Sequence, residues 1–338
     1  VYIITYNGKY IEKPLVEYIA GTQLPGSKAV LTRTNIEALQ VSSMLKVLGY
    51  KVKLMAGFEG FRISDLFEIR CFDRKLSAEV GESGIIFEAS WELALEWFRK
   101  TFKQSLHFET CVALIKKFDH SNPDKKLLVD WREFCREINM EDAINPDSES
   151  IIVSTMHKAK GKEYDHVLML VVDYDRTTDE SRRLLYVAST RAKKTLHIHT
   201  NINFYDKIES KNITRNGFKG ELVEPLGFEM ILGHKDVSLG SFNYPVPLSI
   251  LRTIKTGDKL EKDIKIFGDS EAPGLAKKSH GNLLLFSKKF VAEKYDPMIK
   301  KGYDITSGTA EYIVYWYNKN DEKEYKIVLP RLKFKKRN

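Results

Sequence analysis

Apolar positions change their spacing several times along the chain, and each change marks a different element. LVEYIAG (15–21) has the spacing of a short amphipathic helix, and LPGS (24–27) is a turn. KAVLTRT (28–34) is an apolar run too short for a helix and predicts a buried strand ending at Thr32 to Thr34. In NIEALQVSSMLKVLGY (35–50), Ile36, Leu39, Val41, Leu45 and Leu48 fall near helical spacing, with Asn35 as N-cap and Gly49 as the stop. KVKLM (51–55) predicts another strand. Strand, helix and strand in that order imply a parallel sheet with a crossover helix.

From Phe61 to Asp142 the pattern is helical. SDLFEIRCFDRKL (64–76), WELALEWFRKTF (91–102), ETCVALIKKF (109–118) and KKLLVDWREFCREI (125–138) predict helices, interrupted by a β-like GIIFEAS (84–90). Trp91, Trp97 and Trp131 stand at helical spacings and read as core. INPDSES (144–150) has the composition of a linker. Strands are then predicted at SIIVSTM (150–156), EYDHVLMLVVD (163–173) and KTLHIHT (194–200), with a helix at ESRRLLYVAST (180–190). One α/β domain is thus expected to be split by a helical insertion of about 80 residues. Beyond Asn201, runs such as EPLGFEMI, KDVSLGSF, NLLLFSKKFVAEKY, AEYIVYWYNK and EYKIVLPRLKF are separated by Gly, Asn and Pro. They predict a small antiparallel barrel or sandwich.

Composition narrows the class. The 338 residues suggest two domains, and 18 Phe, 16 Tyr and 4 Trp can fill a core. No stretch approaches the roughly 20 apolar residues of a membrane helix. VYIITYNGKY lacks a signal pattern and an initiating Met, so it reads as a strand entered mid-fold in a piece of a longer chain. Three cysteines without a CxxC suggest neither a disulfide framework nor a zinc ribbon, and a cytoplasmic protein is the expectation. The net charge of +8 admits a polyanionic partner without requiring one.

Chemistry concentrates between two predicted strands, in STMHKAKGKEYDHV (154–167). Thr155, His157, Lys158, Lys160, Gly161 and Glu163 supply hydroxyl, imidazole, ammonium, close backbone approach and carboxylate. Such groups can hold phosphates and a sugar hydroxyl, or can form a solvated basic loop. In DESRRLLYVASTRAKKTL (179–196), Arg191 stands after a helix and before a strand, and is expected at the same C-terminal strand edge as Gly161. An arginine there can stabilise a transferring phosphoryl group or serve as a surface ion-pair partner, and Arg33 has the same two readings.

Taken together, KAVLTRTN (28–35), VSTMHKAKGKEYDHV (153–167) and ESRRLLYVASTRAKKTL (180–196) resemble, in order and spacing, motifs IV, V and VI of superfamily 1 DNA helicases of the UvrD/Rep/PcrA type. The usual forms of the last two read TxHxxKGLEFxxV and EERRLxYVxxTRAxxxL; here GLEF is GKEY, with Lys162 and Tyr164. The resemblance covers about residues 1–205. It implies an α/β fold with a RecA-like second motor domain in two segments (1–72 and 150–205) and a reduced accessory subdomain (73–149); the small β-rich, barrel-like domain (206–338) rests on the strand pattern instead. It further implies that Arg33 and Arg191 contact the γ-phosphate of ATP, that Glu163 binds its sugar with Gly161 shaping the turn, and that Thr155, His157 and Lys158 face DNA. Tyr186 is read as helix packing.

No GxxxxGK[ST] loop occurs; PGSK (25–28) lacks the spacing and the hydroxyl. The chain alone is therefore expected to be inactive as an ATPase, with the phosphate and Mg2+ ligands supplied by an N-terminal motor domain of the full-length protein. Partners would be single-stranded or duplex DNA, that motor domain, and a protein partner for the barrel, with no membrane. The alternative is a non-catalytic DNA- or protein-docking module. In the barrel, Tyr312, Tyr315, Trp316 and Tyr317 read as buried, with base stacking as the other reading.

Overall fold

The computed structural model describes residues 1–55, 61–138, 140–143, 150–175, 177–267 and 270–337. The expected linker at 144–150 lies outside the described residues except for Ser150. The chain divides into two compact units, Val1–Gly57 with Asn145–Met230, and Phe58–Ile144 with Ile231–Asn338. In chain order, the elements are β1 (Tyr2–Thr5), α1 (Glu12–Gly21), β2 (Lys28–Thr32), α2 (Asn35–Val47) and β3 (Val52–Leu54). Next come α3 (Phe67–Val80), β4 (Ile85–Ile86), α4 (Glu88–Phe102), α5 (Phe108–Ser121), β5 (Lys126–Leu127), α6 (Leu128–Glu137) and α7 (Met140–Ala143). They are followed by β6 (Ile151–Thr155), β7 (Tyr164–Val171), α8 (Asp179–Ser189), β8 (Ala192–Thr200), β9 (Thr214–Gly217) and β10 (Gly227–Ile231). The chain ends with α9 (Pro245–Thr253), β11 (Lys259–Phe267), β12 (Ser270–Lys277), β13 (Gly281–Leu285), β14 (Tyr303–Asn318) and β15 (Lys323–Lys336).

The first unit is built on a seven-stranded sheet of order β3-β6-β2-β7-β8-β1-β9, parallel throughout. This is the expected α/β architecture and is consistent with a RecA-like domain. Its central strands are apolar on both faces, as covered parallel strands are: Val30, Leu31, Val153, Leu168 and Met169 are fully buried. Alternation along β7 sends Val167, Met169 and Val171 into one core with Leu185 and Ala188 of α8. Asn35 is not the cap of α2; Thr34 is, because its hydroxyl reaches the Glu37 N–H and the Glu37 carboxylate reaches back.

The opposite face carries a polar seam. His166 Nε2 lies 2.9 Å from the Pro25 carbonyl, which can only accept, so Nε2 carries the proton and Nδ1 accepts from Thr195 Oγ1 at 2.7 Å. Thr195 Oγ1 then accepts from His197 Nε2 (2.8 Å), whose Nδ1 accepts from the Tyr18 hydroxyl (2.8 Å). The chain of bonds runs one way only while both imidazoles are neutral. His199 Nδ1 and Tyr6 OH share a hydrogen bond of 2.7 Å, and His199 Nε2 is buried without a partner among the described residues.

In the second unit, α3 to α6 enclose Phe72, Trp91, Phe98, Phe118 and Trp131, each almost wholly buried. Phe72 meets Trp91 and Trp131 edge-on, at 5.4 and 5.2 Å between ring centres. The six-stranded sheet has the order β10-β15-β14-β11-β12-β13, antiparallel in its described ladders, with no ladder between its end strands among the described residues. The helices and the sheet share buried polar contacts: His107 donates to the Glu311 carbonyl (2.7 Å) and stacks on Tyr312 at 4.3 Å. Two runs read as strands are not strands throughout, and KDVSLGSF ends in a 3-10 turn at Leu239–Asn243. Pro245, in the gap after it, starts α9, whose N-terminal prolines suit a helix start. Ser287 turns the end of NLLLFSKKFVAEKY into a helix by accepting from the Phe290 N–H. No helix among the described residues is long and apolar enough to cross a membrane.

Burial lowers the His197 pKa to about 4 and the His199 pKa to about 3, with neighbouring histidines adding to the effect. The unfolded chain therefore binds protons that the folded one refuses. Stability conferred by the neutral seam is expected to fall as pH drops from about 6.5 toward 4. Melting temperatures between pH 7.5 and 4.5 check this; His199→Gln, which keeps an acceptor but does not titrate, should flatten the decline.

Candidate functional site

The expected site residues divide between the two edges of the parallel sheet. At the C-terminal edge, Thr32 of β2 pairs with Thr155 of β6, and Met156 N donates to the Thr32 carbonyl (2.8 Å). Arg33 and the residues after Thr155 thus leave the sheet side by side. The α2 capping box fixes Arg33, because Glu37 accepts from the main-chain N–H of Arg33 (3.0 Å) and of Thr34 (2.8 Å). Burial raises the Glu37 pKa, against these donors, which lower it. The Arg33 guanidinium lies 5.0 Å from the ring centre of Tyr174, just beyond the end of β7. Thr155 is buried, Lys158 half-buried and His157 exposed.

Tyr174 also lines a cavity of about 700 Å³ with Arg182, Tyr186, Ser189, Phe204 and Tyr205. Phe204 and Tyr205 follow β8, so the cavity opens at this same edge. Tyr186, expected to pack inside, is 72% exposed and forms part of its wall. The helical spacing of α8 puts Leu185 and Ala188 inward and turns Tyr186 out.

β6 and β7 flank β2 and run parallel to it, so the chain from Met156 to Glu163 must return from one edge to the other. It does so through tight turns, Lys158 N to Thr155 O and Lys162 N to Ala159 O, both 3.1 Å. Met156 and Ala159 are fully buried and pin these turns to the core. Gly161 has φ +80 with open space where a Cβ would stand, so backbone conformation rather than crowding calls for glycine.

The return places Gly161 and Glu163 at the N-terminal edge, and Arg191 joins them there. Tyr164 N donates to the Arg191 carbonyl (2.9 Å). The Arg191 guanidinium donates from Nε to Val187 O (2.8 Å), from Nη1 to Lys162 O (3.4 Å) and from Nη2 to Thr190 Oγ1 (3.0 Å). Those bonds engage three of its five N–H groups and aim the planar fork. Glu163 is exposed and faces Lys193 at 3.6 Å. Gly161, Glu163 and Arg191 are therefore gathered as expected, but at the N-terminal edge rather than the C-terminal one. The reason is topological: Arg191 precedes β8 and Glu163 precedes β7, and both strands run parallel to β6. Arg33 is not with them. By strand register Arg33 is level with Val171 and Arg191 with Glu163, a separation of about 25 Å along the strands.

One support of this edge went unread in the sequence. Asp165 accepts from Ser27 N (3.0 Å) and Ser27 Oγ (3.1 Å) and pairs with Lys194 (3.1 Å). Those donors, the Ser27 N–H foremost, lower its pKa to about 2. Lys28 of PGSK spends its ammonium on the carbonyls of Leu24 (3.0 Å) and Gly26 (3.1 Å), so it caps its own turn. Only the later contact, across 138 residues, reveals what the turn serves.

Residues 150–199 match the family model of the UvrD-like helicase C-terminal domain. Over those residues the chain is similar to a UvrD-like helicase C-terminal domain. No curated protein matches the chain. The UvrD-like region runs from β6 through β8 and so contains the crossover, Gly161, Glu163 and Arg191.

Gly26 has φ +102, and a Cβ there would collide with the Asp165 carboxylate. Gly26→Ala is expected to cost about 1–3 kcal/mol and to let the Asp165 pKa rise toward its ordinary value. Urea unfolding and carboxyl NMR titration measure the two effects.

Proposed function

We propose that the chain is the second motor domain of an ATP-dependent DNA helicase, with one edge of its parallel sheet serving the nucleotide and the other serving single-stranded DNA. One observation carries this reading. A single crossover in the UvrD-like region has Thr155 and His157 at its first end and Gly161 and Glu163, beside Arg191, at its last. A shift of the nucleotide edge would pass through eight residues into the strand edge.

At the nucleotide edge, Arg191 has donors left for a phosphate oxygen, and Glu163 can accept from a sugar hydroxyl. ATP and Mg2+ would need further ligands from a phosphate-loop domain, and none of the steps at the metal belongs to these residues. At the strand edge, Arg33, His157 and Lys158 supply phosphate and sugar contacts. The cavity of Tyr174, Tyr186 and Phe204 offers ring faces to bases. This reading moves Arg33 from the γ-phosphate to the strand. The four-part domain division, the barrel's role as a dock and the cytoplasmic location belong to the same proposal.

Arg33→Ala and His157→Ala are each expected to weaken binding of a labelled oligothymidylate about three- to tenfold. Arg33→Ala should also lower the salt slope by about one, read by fluorescence anisotropy. In a protein joining this chain to a phosphate-loop motor domain, Arg191→Ala should reduce DNA-stimulated ATP hydrolysis about a thousandfold or more and leave strand affinity within a few-fold. Normal hydrolysis by that variant would leave the docking module as the better reading.

A further inference from the structure

Three cations of the second unit gather around two aromatic rings, Tyr315 and Phe67. Arg70 and Arg74 stand four apart on α3, with guanidinium carbons 5.5 and 5.1 Å from the ring centre of Tyr315 on β14. Lys326 of β15 is the direct cross-strand partner of Tyr315. Its ammonium donates to the Leu251 carbonyl (2.8 Å) and lies 3.9 Å from the Phe67 ring centre.

Carboxylates do not balance them. Glu324 pairs with Arg70. Asp73, also on α3, is taken by both arms of Arg132, at 3.0 and 3.1 Å. Glu68 is buried and accepts from the hydroxyls of Ser105 (2.6 Å) and Thr256 (3.3 Å). One helical turn to either side of Arg74 stand Arg70, Cys71, Ser77 and Ala78, none of them acidic. Like charges four apart on a helix repel. Burial lowers the Lys326 pKa, with Cys71 and Glu68 opposing the shift and Arg74 adding to it. Arg70 Nε is buried without a hydrogen-bond partner among the described residues.

A surplus of cations crowded against aromatic rings is the arrangement that a phosphate relieves, since its oxygens accept from several donors at once. Tyr317 lies two residues along the same face of β14 and is 55% exposed. We propose that α3 and the β14–β15 hairpin form a second phosphate-binding surface, where Arg70, Arg74 and Lys326 hold the backbone of a nucleic-acid strand and Tyr317 stacks on a base. Nucleic acid as the polyanion rests on the proposed function; the anion-binding character rests on this unit alone.

The test is anisotropy of the 338-residue chain with a fluorescein-labelled oligothymidylate across a NaCl series, with thermal melts as a folding control. Arg74 is exposed, so Arg74→Ala and Arg74→Glu should melt as the parent does. Arg74→Ala is expected to weaken binding about three- to tenfold and lower the salt slope by about one. Arg74→Glu should weaken it further, and Tyr317→Ala should weaken it with the slope unchanged. Lys326→Met repeats the test from the other strand. Parental affinity in the Arg74 and Tyr317 variants, while Arg33→Ala and His157→Ala lose affinity, overturns this surface and leaves the reading of the first unit intact. Arg74-dependent binding of heparin with no binding of the oligonucleotide overturns the choice of nucleic acid.

Discussion

Strand order β6-β2-β7 is the constraint on which the rest of the first unit depends. Consecutive strands that flank a third in parallel must be joined by a segment that crosses the sheet, and here Met156 to Glu163 make that crossing without a full helix. Buried Met156 and Ala159 leave the segment little freedom, while the left-handed Gly161 lets it turn into β7. Its carbonyl at Lys162 then receives Arg191, and its first residues sit against the end of β2. Two chemistries about 25 Å apart are tied together by backbone rather than by a relay of side chains.

Much of this was legible from residue order. The strands at 28–32, 151–155, 164–171 and 192–200 follow apolar runs whose lengths suit strands and not helices. The grouping of Gly161, Glu163 and Arg191 came from motif spacing. Which edge they occupy did not, because spacing is silent about strand direction relative to neighbours. Arg33 shows the same limit: it sits after a strand and Arg191 before one, and in a parallel sheet that difference alone separates them. Tyr186 failed for a simpler reason, since an aromatic within a helical pattern looks the same whether it faces the core or a cavity.

The second unit departs further from expectation because its stability is shared between distant segments. The helical stretch has its own aromatic core around Trp91 and Trp131, yet His107, Ser105 and Glu68 reach the strand carbonyl of Glu311 and the hydroxyl of Thr256. Local periodicity cannot announce partners some 150 to 200 residues away. Pro245 fell in a gap between strand-like runs and Ser287 inside one, although each begins a helix.

The place of β1 in the sheet bears on how the chain acquires its shape. Residues 2–5 sit between β8 and β9, paired with 197–200 on one side and 214–217 on the other. They acquire both neighbours only once segments roughly 200 residues further along have been made. The helical stretch waits too, for strands that follow residue 300. Closing such long loops costs entropy before any contact repays it, so both units are expected to fold late and slowly, with unpaired strand edges exposed meanwhile.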